Sequence, residues 1–95
     1  MMCVGIACEA DRIAVTTNSR PGGRLFQSFF PANTVGRAVV RMFCAGFRQP
    51  MRIVISGVRA LDFALLLGRG HRREVILLFQ PMPSAALAAR AWHQP

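Results

Sequence analysis

The 95-residue sequence contains no lysine and only four acids, Glu9, Asp11, Asp62 and Glu74, against twelve arginines, leaving a net charge of +8. A coding bias toward GC accounts for arginine in place of lysine. It does not account for the shortage of acids, and a field of this sign attracts polyanions. Cysteine is scarce too: Cys3, Cys8 and Cys44 are odd in number and form no CxxC pair, so neither a disulfide framework nor a zinc site is readable. Cys3 and Cys8 are five apart, which on a strand points them to opposite faces, and buried reduced thiols are the expectation. No apolar run is long enough to span a bilayer, and the first residues lack the basic segment of a signal peptide. The chain is therefore expected to be cytoplasmic and free of membrane contact.

Chemistry-bearing motifs are equally sparse. His71 and His93 have no acid at a triad or HExxH spacing, Ser56 before Gly57 lacks the GxSxG elbow, and no phosphate-cradling glycine pattern occurs. No cofactor and no metal are expected, and nucleophilic catalysis has no candidate. What is present is apolar bulk: 53% hydrophobic against 17% charged residues marks a folded chain, one α/β domain over residues 1–95. Surface this apolar in so small a domain also predicts a covering partner, with a homodimer the simplest.

The periodicity changes along the chain. Residues 3–10 and 12–18 alternate loosely about a tight ADR connection and predict a hairpin; SRPGGR then turns into a third antiparallel strand, LFQSFF. After Pro31 the period becomes helical. Asn33 or Thr34 caps a helix whose apolar face is predicted as Val35, Ala38, Val39, Met42 and Phe43, with Arg37 and Arg41 opposite and Gly46 as the stop. MRIVIS and EVILLFQ, continuous apolar runs, predict parallel strands joined by the nearly all-apolar helix 58–67. Residues 83–95 predict a weak alanine-rich helical tail packed through Leu87, Ala91 and Trp92.

Two basic loops are the candidate phosphate contacts: Arg20 and Arg24 in SRPGGR, and Arg69, Arg72 and Arg73 in GRGHRR. Glycine lets the backbone approach and arginine can clamp a phosphate with two parallel hydrogen bonds. Phe26, Phe29 and Phe30 are expected in the core or on a sheet face rather than as base-stacking platforms.

The strand and helix order, with its opening VGIACEADRIAVTT, resembles the RNase H-like fold, in particular the amino-terminal domain of the DEDD (RuvC-like, Piv-type) transposases. Gly5 and Ile6 match the start of that family's G-I-D strand, Ile13 and Val15 its second strand, and residues 52–81 its strand, helix, strand and closing proline. The resemblance implies a five-stranded mixed sheet, three antiparallel strands followed by two parallel strands linked by helices. It also exposes two departures: the family's first catalytic aspartate falls on Ala7, and a later glutamate falls near Ser56. Two-metal phosphodiester chemistry needs several converging carboxylates. The expectation is thus a non-catalytic binding or assembly domain resembling a degenerate transposase fragment, touching nucleic acid through its arginines without sequence preference. The alternative is a homodimeric protein-interaction module with no nucleic-acid role. A metal-dependent nuclease or recombinase is disfavoured.

Overall fold

The computed structural model describes residues 1–19, 23–69 and 72–93. Three strands come first: β1 (Met2–Cys8), β2 (Arg12–Asn18) and β3 (Phe26–Pro31). The first hairpin closes as its alternation predicts, with Cys8 opposite Ile13 and the Glu9 amide donating to the Arg12 carbonyl at 2.9 Å. Helix α1 (Thr34–Ala45), β4 (Met51–Gly57), α2 (Ala60–Leu67), β5 (Arg73–Leu78) and α3 (Ser84–Trp92) follow. The strands form one sheet in the order β3-β2-β1-β4-β5, with β1, β2 and β3 antiparallel in turn and β4 and β5 parallel to β1. The expected α/β class and five-stranded mixed sheet are both present. No helix among the described residues is long and apolar enough to cross a membrane.

β1 and β4 lie at the centre because their residues are apolar on both faces, and every residue of β1 is buried. One face carries Val4, Ile6, Ile13, Val15, Ile53 and Ile55, covered by Val40 and Cys44 of α1 and Phe63 and Leu67 of α2. The other face carries Cys3, Ala7, Ala14 and Val54 under Leu87 and Ala91 of α3. Cys3 and Cys8 do fall on opposite faces, and all three thiols are free and buried.

Two sequence expectations need correction. Asn33 is the cap, its Oδ1 accepting from the Gly36 amide at 2.7 Å, but the inward face of α1 is Gly36, Val40 and Cys44. Val35, Val39 and Met42 point outward, Met42 being 72% exposed. Apolar residues cover more than half the circumference of this helix, so period alone leaves its facing open. The close approach of Gly36 to Pro31 settles it, since a Cβ there would lie 1.7 Å from the Pro31 carbonyl oxygen. The second correction concerns the carboxyl-terminal helix, which is no loose tail. Leu87, Ala88 and Ala91 are fully buried, and polar pins hold both ends of α3. Thr16 Oγ1 and Ser84 Oγ are 2.6 Å apart, Gln27 Nε2 donates to Ser84 Oγ at 3.0 Å, and Arg52 Nη1 donates to the Ala91 carbonyl at 3.0 Å.

Candidate functional site

In an open sheet with parallel central strands, ligands ordinarily enter beyond the carboxyl ends of those strands. Here that upper end holds two clefts, both lined by Cys8 and Glu9. One, of about 340 Å³, opens between the first turns of α1 and α2 and is walled by Asn33, Thr34, Arg37, Val58 and Arg59 over Ile13. The other, of about 320 Å³, lies under the turn into α3 and is lined by Ala7, Ser56, Gly57, Pro81, Met82 and Pro83. Ala7 and Ser56 are aligned neighbours on β1 and β4, and both are buried.

These groups offer little to a reaction. The Glu9 carboxylate accepts from Arg12 Nε at 2.5 Å in an exposed pair. Burial pushes the Cys8 thiol up to about 11, although Arg37 pulls the other way, so the thiolate a nucleophile needs is scarce at neutral pH. Gly57, at φ 107°, turns β4 sharply where an added Cβ would lie 2.1 Å from the Cys8 carbonyl oxygen. Among the described residues no three of His, Cys, Asp and Glu gather to hold a metal ion. A pair of divalent cations would therefore meet a methyl group and a hydroxyl where carboxylates would be required, and Ala7 and Ser56 do not fit that role.

Apart from Arg41, within α1, the described arginines sort by the ends of the sheet. At the upper end Arg12, Arg37 and Arg59 stand with Glu9, Asp11 and Asp62, three cations with three acids. The lower end, at the amino ends of β1, β4 and β5, collects Arg24, Arg48, Arg52, Arg69, Arg72, Arg73 and Arg90 with Glu74 as its one acid among the described residues. All three helices also finish there, and their carboxyl-terminal carbonyls favour cations. Arg73 uses that directly: half-buried at the start of β5, it donates from Nη1 to the Leu67 carbonyl at 3.3 Å. Arg52 does the same for α3 and also pairs with Glu74, Nε to Oε2 at 2.9 Å.

Of the residues singled out from the sequence, Arg69, Arg72 and Arg73 share one loop region, whereas Arg24 lies across the sheet at the start of β3. Four strand spacings separate them, roughly 19 Å. Arg69, Arg72 and Arg24 are exposed, and Arg20 and His71 lie outside the described residues. Arg72 holds a left-handed backbone, φ 57°, unusual for a side chain with a Cβ. Sequence reading missed Arg48, Arg52 and Arg90 at this same end. The signal available was topological, because a parallel β4–β5 pair puts the α1–β4 and α2–β5 loops on one edge. The aromatic residues stand on β3 as expected: Phe30 packs against the core, while Phe26 and Phe29 are largely exposed, with the Arg24 and Arg12 guanidiniums 5.3 Å and 4.4 Å from their ring centroids.

The sequence matches no family model, and no curated protein matches it. Fold and site together define an α/β domain with a neutral upper end and an arginine-rich lower end.

Proposed function

We propose that this chain is a non-catalytic RNase H-like domain that binds nucleic acid through phosphate contacts along the lower, arginine-rich end of its sheet. The observation that carries this reading is the segregation of charge: among the described residues seven arginines lie at one end with a single acid, while the other end balances three against three. Codon preference explains arginine over lysine but not its collection on one edge. The strand order β3-β2-β1-β4-β5 supports the RNase H-like part of the reading. Ala7 and Ser56 at the ends of β1 and β4 support binding without cleavage. Contact is expected to be phosphate-directed and indifferent to sequence, because guanidiniums on glycine-containing loops present no fixed pattern to base edges.

Fluorescence anisotropy with labelled single-stranded, duplex and four-way-junction DNA tests it at low and physiological salt. The expected affinity falls steeply with salt, by roughly one unit of log slope for each phosphate contact. Two double variants with equal change of net charge separate a binding edge from a general field. Arg48→Glu/Arg72→Glu is expected to weaken binding more than about tenfold and flatten the salt slope, while Arg37→Glu/Arg59→Glu leaves both nearly intact. Equal losses in the two variants would reduce the edge to net charge, and no binding at low salt would end the nucleic-acid reading.

A further inference from the structure

The two edge strands of the sheet are finished differently. β3 ends on Pro31 and has Arg12 and Arg24 folded over its aromatic rings, and proline and charge are the ordinary guards of an edge against pairing. β5 carries no such guard from Val75 through Phe79, five apolar residues in succession, and no strand among the described residues pairs with its outer side. Phe79, immediately after β5, is 92% exposed. Beside it Leu61 and Leu65 of α2 are 59% and 64% exposed, and Leu61, Leu77, Leu78 and Phe79 line one groove of about 230 Å³. We infer that this edge is the docking surface for a second copy of the chain, with β5 pairing antiparallel to β5 across a twofold axis.

A strand paired antiparallel with itself is self-complementary, so one surface serves both protomers and the assembly closes as a dimer. The charge-free run is centred on Leu77. Pairing about that residue, with the strand extended through the bend at 79–80, sets Val75 opposite the partner's Phe79 on the face that carries α2: Val75 and Leu77 pack on that side, and Phe79 lines one groove with Leu61 and Leu77. Each Phe79 then leaves water against an apolar strand and the flanking Leu65. Glu74 falls opposite the partner's Gln80 and Arg73 opposite the partner's Pro81, so no like charges fall opposite one another along the paired strands. Charge selects the occupant: Arg59 is the one cation lining the groove, so an acidic foreign protein finds no cation along the strand run itself, whereas a second copy meets no repulsion between the paired strands. A stable interface covers about 800 Å² per partner, about a seventh of the 5770 Å² surface of this chain. A nearly bare phenylalanine at about 150–250 Å², a strand edge and the outer side of α2 supply area of that order.

Sedimentation equilibrium of the full chain, without nucleic acid, tests the inference independently of the polyanion reading. The expected result is a dimer at micromolar concentration that Leu61→Glu/Phe79→Arg weakens by more than about tenfold, with the circular dichroism spectrum unchanged because both side chains are exposed. Leu25→Glu/Phe26→Arg, the same charge change beside β3, is expected to leave the dimer intact. A monomeric wild-type chain, a dimer that survives the first variant, or one lost equally from the second would overturn the assignment.

Discussion

The two faces of the sheet solve the same burial problem with opposite side chains. Beneath α1 and α2 the strands present Val4, Ile6, Ile13, Val15, Ile53 and Ile55, large branched residues that hold the helices away and fill the space with Phe63, Leu67 and Val40. Beneath α3, Val54 apart, they present Cys3, Gly5, Ala7, Ala14, Thr16 and Ser56, so small that the helix backbone rests on the strands at Gly5. The second arrangement has less apolar volume to bury and relies instead on close approach and on polar pins at Ser84 and Ala91. The difference bears on function, because Ala7 and Ser56 belong to this small-residue face. On the RNase H-like reading proposed above carboxylates would stand there, whereas this chain has residues that let a turn and a helix settle on the sheet.

The sharpest break between the faces is expected at adjacent positions of β1. A Cβ at Gly5 would lie 2.1 Å from the Ser84 carbonyl oxygen and 2.4 Å from the Ala88 amide nitrogen, both backbone atoms that cannot rotate away. Gly5→Val is therefore expected to lift α3 off the sheet and cost roughly 3–5 kcal/mol, with loss of cooperative unfolding. Ile6→Val, one residue along and facing α1 and α2, removes a single methylene and is expected to cost only about 0.5–1.5 kcal/mol. Thermal melts of the two variants compare them directly. Similar small losses would mean that α3 tolerates displacement, and the contrast between the faces would fail.

How much of this was legible in advance follows from the kind of signal each part gives. The hairpin, the helix start at Asn33 and the parallel β4–β5 pair were readable, because alternation, a capping residue and continuous apolar runs are local. The facing of α1 was not, since Val35, Val39 and Met42 compete with Val40, Phe43 and Cys44, and only Gly36 against Pro31 decides between them. A lone glycine within a strand pattern signals close backbone approach, a signal at Gly5 that the sequence reading did not use. The weight of α3 itself was hidden: Ser84–Trp92 is alanine-rich and short, and its burial depends on β2 and β1 residues distant in sequence, Thr16 lying 68 positions from Ser84 and the β1 residues farther still. The candidate basic loops were readable as composition. Their division between an arginine-rich and a neutral end required the strand directions.

Placing a carboxylate at position 7 sharpens the comparison where structure meets chemistry. Ala7 is 6% exposed beneath the turn into α3, so in Ala7→Asp burial disfavours the ionised form and raises the carboxyl pKa above its ordinary value near 3.9. A group whose folded pKa is raised contributes most below its unfolded pKa, and that contribution is lost as pH rises through the folded value. Relative to wild type the variant is thus expected to be destabilised by about 1–3 kcal/mol at pH 7 and by less at pH 4. Mg²⁺ is expected to restore nothing, because the acid that shares this cleft, Glu9, is already paired with Arg12. Recovery of the melting temperature with Mg²⁺ would show that this end of the sheet can still hold a divalent cation.

The smallest effect separates the faces by their thiols. Burial pushes Cys8 of β1 and Cys44 of α1, both in the core between the sheet and α1 and α2, up to about 11 from an ordinary 9.0 against the pull of Arg37 and Arg73, whereas Cys3 on the α3 face is raised by burial against the pull of Arg52 and the chain amino terminus. Above pH 9 the unfolded chain releases thiol protons that the folded chain keeps, so the unfolded state binds fewer protons and stability falls with rising pH. The fall is expected to begin near pH 9 and to level off past about 11, once the folded thiols ionise too. The sequence has no lysine and no tyrosine, and arginine stays charged, so no other side chain competes in that window. Urea unfolding between pH 8 and about 11 would read the slope, which Cys8→Ser/Cys44→Ser is expected to remove and Cys3→Ser to leave largely in place. A slope that instead follows Cys3 would place the tighter burial on the small-residue face, and the contrast drawn between the two sides would have to be reversed.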